Sequence, residues 1–312
     1  MIDNDLISIG LPTFNGKKYV KQAVYSLLSQ SYKNIELIVS DDASNDDTFD
    51  ICQKIAAKDT RVKLYLQKKN IGFTKNFNFV LNKATGKYFM WAGEDDYRHP
   101  QCLAKLHYLL AKNQKAILAV SKFNNVYKNK CYDYMKNQKI SNSMPHFFYF
   151  FHYVNTLNIS YFYGLYRTDI LKKIGGYHTD SRPFFKSSDY VTIFRVLLQG
   201  KLAYSNSVLF FKRDTGSFTN QFKIARDLKI DRIMLKKILR FLLFPVYYLY
   251  DFYFCVKYSL SSKHRLTFKL IVISILFFGF IKYNLQYFFK LVWGGVNLIF
   301  GFIKKIIKLF YG

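Results

Sequence analysis

Up to about residue 120 the chain alternates short apolar runs with stretches whose apolar residues recur at helical spacing, and this alternation restricts the fold more than any other feature. Leu6–Leu11, ended by Pro12, reads as a first strand; Tyr19, Val20, Ala23, Val24, Leu27 and Leu28 then mark a helix. Ile35–Val39 is a second strand, followed by a helix carrying Ile51, Ile55 and Ala56, with Ser44 and Asp46 or Asp47 as candidate N-caps. Val62–Leu66, Lys87–Ala92 and Ala116–Val120 continue the strands, with helices at Phe73–Leu81 and from Pro100 to Leu110. Such a chain is α/β, with a mostly parallel central sheet covered by helices on both faces.

Parallel sheets bind ligands beyond the carboxyl ends of their strands. Three polar clusters fall at those ends: Pro12-Thr13-Phe14-Asn15, Asp41-Asp42 and Glu94-Asp95-Asp96. Three adjacent acids repel one another, so the last cluster is either a solvated turn, with Asp96 capping the following helix, or a site for positive charge. A hard divalent cation held by one or two carboxylates and diphosphate oxygens fits the second reading, which makes Mg2+ or Mn2+ the expected cofactor. No GxxxxGK[ST] or GxGxxG pattern occurs, which removes the P-loop and the Rossmann dinucleotide site. Asn70-Ile71-Gly72 followed by Lys75 reads either as a plain loop before a helix or as a place where Lys75 reaches a nucleotide.

The stretches "ISIGLPTFNGKKYVKQAVYSLLSQSYKNIELIVSDDASNDDT" and "NIGFTKNFNFVLNKATGKYFMWAGEDDYRHP" resemble the family 2 inverting glycosyltransferases of GT-A fold, over about Leu6 to Ser217. The resemblance implies a nucleotide-binding half at 1–120 and an acceptor-binding half at 121–230. It places Pro12, Thr13 and Asn15 at the nucleotide, Pro12 through its backbone, with Asp42 and its neighbour Asp41 contacting the base. Lys75 stands where relatives carry a basic residue near the nucleotide. Asp95 and Asp96 match the last acids of the DxD-type motif, implying ribose and metal contacts respectively. Gly93 occupies the position where Asp is commonest, and Glu94 is the residue that compensates in the metal shell. Gly164-Leu165-Tyr166-Arg167 is similar to the acceptor-side segment, and Asp189, at the start of a late helix, is implied as the catalytic base; without the resemblance it is an N-cap. Arg213 falls where relatives have a basic residue near the diphosphate, and Asp214 where many have His.

The charge is uneven. Residues 1–100 carry 14 Lys and Arg against 12 acids, whereas residues 235–312 carry 12 against one, within a formal net charge of +27. On a helical wheel Lys282, Gln286, Lys290, Asn297, Gly301, Lys304 and Lys308 fall within an arc of about 100°, with Lys305 near 140°, and the rest of the surface is mainly apolar and aromatic, Asn284 being the chief exception. Residues 232–257 show a similar one-sided basic pattern, kinked at Pro245. The longest apolar run, Leu270–Ile281, is 12 residues, short of a bilayer span of roughly 20. The expectation for 231–312 is therefore amphipathic helices lying on an anionic membrane surface; packing on the catalytic domain or a partner subunit, or a re-entrant hairpin at 266–303, are the other readings.

Cys52, Cys102, Cys131 and Cys255 have neither metal nor disulfide spacing, and "MIDNDLIS" is not a signal peptide. The expected protein is a peripheral or monotopic enzyme on the cytoplasmic side of the cell membrane. It would move a sugar from a nucleotide-diphosphate donor, a UDP-sugar before others, to a glycan or lipid-linked acceptor during surface-polysaccharide assembly. The alternatives are an inactive nucleotide-binding relative and a basic nucleic-acid-binding protein; the placement of the basic residues on apolar helices favours lipid, and no nucleic acid is expected.

Overall fold

The structure, a computed structural model, describes residues 4–127, 130–133, 159–179, 188–213 and 252–277. The chain divides into two compact units, Met1–Lys236 and Lys237–Gly312.

The first unit is built on one sheet. β1 (Ile7–Thr13), β2 (Ile35–Asp41), β3 (Val62–Leu66) and β4 (Tyr88–Trp91) lie in the order β3-β2-β1-β4 and run parallel. Every residue of β1, β2 and β4 is buried, as expected for strands covered on both faces, and this is why they read as predominantly apolar runs. Between them come α1 (Val20–Leu28), α2 (Thr48–Ala56) and α3 (Phe73–Lys83). Beyond β4 the sheet is mixed. β8 (Leu165–Arg167) runs antiparallel between β4 and β6 (Ala116–Tyr127), and β6 pairs parallel with β9 (Lys201–Arg213). The two-residue β5 (Tyr97–Arg98) closes the edge on β9, and β7 (Lys130–Asp133) pairs with β6. α4 (Cys102–Lys112), α5 (Thr168–Lys173) and α6 (Ser188–Leu197) complete the described helices of this unit, with a 3-10 turn at Ile159–Tyr163.

Two details differ from the sequence reading. β6 continues to Tyr127, because Phe123 and Val126 remain buried past residue 120. Residue Asp47 precedes α2 without a side-chain cap; Asp46 instead accepts the Thr48 N–H at 3.0 Å, and Ser44 faces the end of β1.

Aromatic residues account for 19% of the chain, and part of that excess forms one cluster under the end of β4. Trp91 stacks on Phe162, with ring centroids 4.5 Å apart and planes 10° from parallel, and its indole N–H donates to the Phe77 carbonyl at 2.9 Å. Phe77 and Tyr177 close the cluster from α3 and from the segment after α5. Offset and edge-on contacts of this kind add stabilisation beyond the area they bury. The cluster is a rigid floor on which the β4 end and α6 are set.

In the second unit, residues 252–261 and 266–277 are helical. No helix among the described residues is long and apolar enough to cross a membrane. The basic stripe from Lys282 to Lys308 and the kinked segment 232–250 lie outside the described residues. Cys52 and Cys102 are buried free thiols, Cys255 is buried, and Cys131 is an exposed free thiol.

Candidate active site

The register of the parallel strands gathers the three polar clusters. Thr13 pairs with Asp41 across β1 and β2, and Gly10 pairs with Trp91 across β1 and β4, so the chain leaves all three strands on one edge. Asp42 N–H donates to the Thr13 carbonyl at 2.9 Å, which extends the pairing one residue past the strands.

At the end of β1, Pro12 and Thr13 are buried, and Asn15 takes a left-handed φ of 56°, a conformation Asn tolerates better than most residues. Its N–H donates to Ser44 Oγ at 2.9 Å and its Oδ1 accepts the Asn45 N–H at 3.0 Å, tying this turn to the loop after β2.

The two acids after β2 differ in what they hold. Asp42 accepts the N–H groups of Ile71 and Gly72, at 2.7 and 3.0 Å, one on each oxygen. Gly72 there has φ 88°, a left-handed conformation suited to glycine, and α3 begins immediately after it. Asp41 is fully buried; its Oδ1 accepts the Ser44 N–H at 2.7 Å, and its Oδ2 has no hydrogen-bond partner among the described residues. Asn76 on α3 is similar: its amide N–H donates to the Ser40 carbonyl at 2.9 Å while its buried Oδ1 is unpartnered among the described residues. Buried polar atoms without partners are rare in folded proteins. Lys75, one residue before Asn76, is exposed.

The acidic turn after β4 is sorted in the same way. Glu94 turns to the β1 end, where its Oε2 accepts the Thr13 hydroxyl and the Phe14 N–H, the latter at 2.9 Å. Gly16 makes room for it, since a Cβ there would lie 2.4 Å from Glu94 Oε2. Burial pushes the Glu94 carboxyl up to about 7, with Asp95 and Asp41 adding to the rise and the Thr13 and Phe14 hydrogen bonds opposing it. Asp96 is 4% exposed; its Oδ1 accepts the Arg213 N–H at 2.8 Å, and its Oδ2 has no partner among the described residues. Burial pushes Asp96 up to about 6, against the field of Lys212. A Cβ on Gly93 would sit 2.9 Å from Asp96 Oδ2 and 3.2 Å from Asp95 Oδ1, so the missing side chain is what lets these two oxygens face one space.

Arg213 braces this turn. Its guanidinium donates to the Asp95 carbonyl and to Gln22 Oε1, both at 2.6 Å, and lies over the ring of Tyr19 at 4.3 Å. Asp214 lies outside the described residues.

Asp189, the second residue of α6, accepts the Tyr177 hydroxyl at 2.6 Å. Burial raises its pKa, and the Tyr177 hydrogen bond and the Lys212 charge act in the opposite direction. The buried Tyr163 hydroxyl feels Asp189, Asp96 and Asp95 together, and Lys212 acts on both Asp96 and Asp189. The base candidate and the acidic turn therefore share one electrostatic neighbourhood. Lys212, Tyr177 and Asn76 were not singled out as site residues from the sequence; a basic residue beside Arg213 was the one available signal, and Tyr177 carried none.

Residues 8–175 match the family model "Glycosyl transferase family 2". The chain belongs to glycosyl transferase family 2. An uncharacterized glycosyltransferase of Haemophilus influenzae is 44% identical over 92 residues, which is 30% of this chain and 37% of that protein. The glycosyltransferase GlyA of Streptococcus pneumoniae is 30% identical over 117 residues, 38% of this chain and 17% of its own length. The chain thus aligns with about a third or less of these relatives. Among solved structures, S. aureus TarS 1-349 in complex with UDP superposes with a TM-score of 0.64 at 16% identity, covering 87% of this chain and 70% of that one. The mannosyltransferase PcManGT of Pyrobaculum calidifontis, in complex with GDP-Man and Mn2+, superposes at 0.53 and 15% identity, over 88% of this chain and 81% of that one. These likenesses establish the GT-A fold for this family member, as the α/β alternation and the resemblance implied.

Proposed function

We propose that this family 2 chain transfers a sugar, with inversion, from a nucleotide-diphosphate sugar to a hydroxyl of a glycan or lipid-linked acceptor in surface-polysaccharide assembly. The observation that carries the reading is the parallel register that gathers Thr13, Asp41-Asp42 and Glu94-Asp95-Asp96 at one edge of the sheet.

Asp42 and its neighbour Asp41, at the carboxyl end of β2, would contact the nucleobase, as the resemblance implies. Asp42, whose oxygens already hold the Ile71–Gly72 backbone, shapes the loop around that base. UDP is the favoured nucleotide, in keeping with the UDP and UDP-GlcNAc bound by TarS at this fold.

Among the described residues no group of three or more His, Cys, Asp or Glu side chains is arranged around a metal position. Two carboxylates facing one space nevertheless fit a cation that completes its shell with diphosphate oxygens. Asp96 and Asp95 would hold it, with Glu94 engaged at Thr13 and Phe14, and the ion would supply positive charge to the departing diphosphate. The metal-bound PcManGT shares this fold.

In the transfer, Asp189 takes the proton of the acceptor hydroxyl while that oxygen attacks the anomeric carbon from the side opposite the diphosphate. The bond from that carbon to the diphosphate oxygen breaks, its electron pair leaves with the nucleotide, and the configuration inverts. A general base works best when its pKa lies near the operating pH, and burial moves Asp189 in that direction. Lys212 supplies fixed positive charge between base and acidic turn.

The test is donor turnover. Purified chain is incubated with UDP-sugars and Mn2+, and both released UDP and the anomeric configuration of the product are followed. Turnover to the inverted anomer, lost in Asp189→Asn while nucleotide binding persists, is expected. Retention of configuration, or an Asp189→Asn variant as active as the parent, would overturn the assignment. An inactive nucleotide-binding relative would show binding with no turnover of any donor.

A further inference from the structure

Residues 252–277 contain four basic side chains, Lys257, Lys263, Arg265 and Lys269, and no acidic one. The same stretch exposes large apolar side chains: Tyr253 is 58% exposed, Leu260 54%, Leu266 67%, Leu270 55% and Ile271 47%. Their arrangement follows the helical period. In the helix 266–277, Val272 and Leu276 are buried, while Leu266 and Leu270, four residues apart, lie on one exposed face. In the helix 252–261, Phe254, Cys255 and Ser259 are buried, and Tyr253, Lys257 and Leu260 share the opposite, exposed face. Lys269 Nζ donates to the Leu260 carbonyl at 2.7 Å across the turn at 262–265, where Lys263 and Arg265 stand.

We propose that this helical pair is a docking surface for an anionic lipid bilayer, lying in the interface without crossing it. Exposed leucines on a helix lose contact with water on insertion to the acyl boundary, while long basic side chains reach back to lipid phosphates. The alternatives fit the charge less well. A second copy of this chain would bring one acid-free, basic face against another. A nucleic acid would take the positive charge but leave the leucines in water. Among the described residues no helix is long and apolar enough to cross the bilayer. The inference stands on the second unit alone and is independent of the transferase reading.

The experiment is sedimentation of the full chain with phosphatidylcholine vesicles and with phosphatidylcholine vesicles containing phosphatidylglycerol. Beside it run Leu266→Glu/Leu270→Glu and Lys263→Ser/Arg265→Ser, both confined to the helical pair, with melting temperature and sedimentation velocity of each. The expected result is partitioning to the anionic vesicles that weakens with salt. It falls about five-fold for each basic residue removed and at least about ten-fold in the double leucine variant, with melting unchanged. Equal partitioning of parent and variants would overturn the proposal, as would absence of binding to anionic vesicles. Vesicle-independent dimerisation lost in the leucine variant would assign the face to a second copy, and partitioning indifferent to lipid charge would remove the electrostatic half of the account.

Discussion

The Tyr177 hydroxyl donates a 2.6 Å hydrogen bond to Asp189 Oδ1, and the backbone of the same tyrosine is fixed to α3: its N–H donates to Asn78 Oδ1 at 2.8 Å and its carbonyl accepts the Asn78 amide at 2.9 Å. α3 begins at the loop that Asp42 holds. The base is thus aimed by the element that also borders the nucleotide pocket, through a ring clamped against Phe73, Phe77 and Phe162.

Tyr177→Phe tests that arrangement. The hydrogen bond favours ionised Asp189, so its loss raises the carboxyl further and moves the acid limb of the kcat/KM profile to higher pH. Nucleotide affinity should not change. A uniform drop in activity at every pH would mean that Tyr177 supports the fold and not the base.

Gly93→Ala tests the space between the acids. The new Cβ would crowd Asp96 Oδ2 and Asp95 Oδ1, so metal-dependent nucleotide binding should weaken by about ten-fold, an energy of about 1.4 kcal/mol, with little effect on melting. Calorimetric affinities equal to those of the parent would contradict it.

Lys212→Met removes the cation that favours the ionised forms of both Asp96 and Asp189. The expected outcome is a lower kcat, together with an acid limb displaced to higher pH, the same direction as for Tyr177→Phe. A profile of unchanged shape would place Lys212 outside the reaction.

Glu36 lies at the end of β2 opposite the site and serves stability. Burial would raise its carboxyl, but Lys63, the Ser8 hydroxyl and both the N–H and hydroxyl of Thr85 outweigh that and hold it at about 2, against an ordinary 4.5. A carboxyl depressed in the folded state stabilises above its unfolded pKa, and the benefit disappears as pH falls from 4.5 towards 2. The shift sets a ceiling of roughly 3 kcal/mol. Glu36→Gln should therefore melt several degrees lower at pH 7, with the difference from the parent narrowing across that acid window. A pH-independent difference would contradict the assignment.

The strands were legible because β1, β2 and β4 are buried on both faces and are mainly apolar, the few buried polar residues such as Ser8 and Glu36 being paired with one another. β5 was not, since a two-residue strand has no period and its Arg98 reads as a surface residue. In the fold Arg98 is 5% exposed, lies 3.8 Å from the Phe210 ring centre, and donates to the carbonyls of Trp91 and Tyr163. The acidic clusters could be placed on one edge from sequence alone. Which neighbour of Asp41-Asp42 keeps a free oxygen could not, because that depends on the Ile71–Gly72 backbone arriving from a distant loop. Tyr177 acts through its hydrogen bond to Asp189 and Lys212 through its charge, neither of which a local pattern encodes. Gly93 looked like a departure from the family motif, and its geometry shows the room it opens between two carboxylates.

The most direct test of the account is calorimetric titration of UDP, GDP, CDP and dTDP into the purified full chain, with and without Mn2+, beside Asp96→Ala. The account predicts metal-dependent binding of one nucleotide, UDP, that is lost in Asp96→Ala while the variant melts like the parent. A folded chain that binds none of the four with metal present, or an Asp96→Ala variant that binds as the parent does, would contradict it.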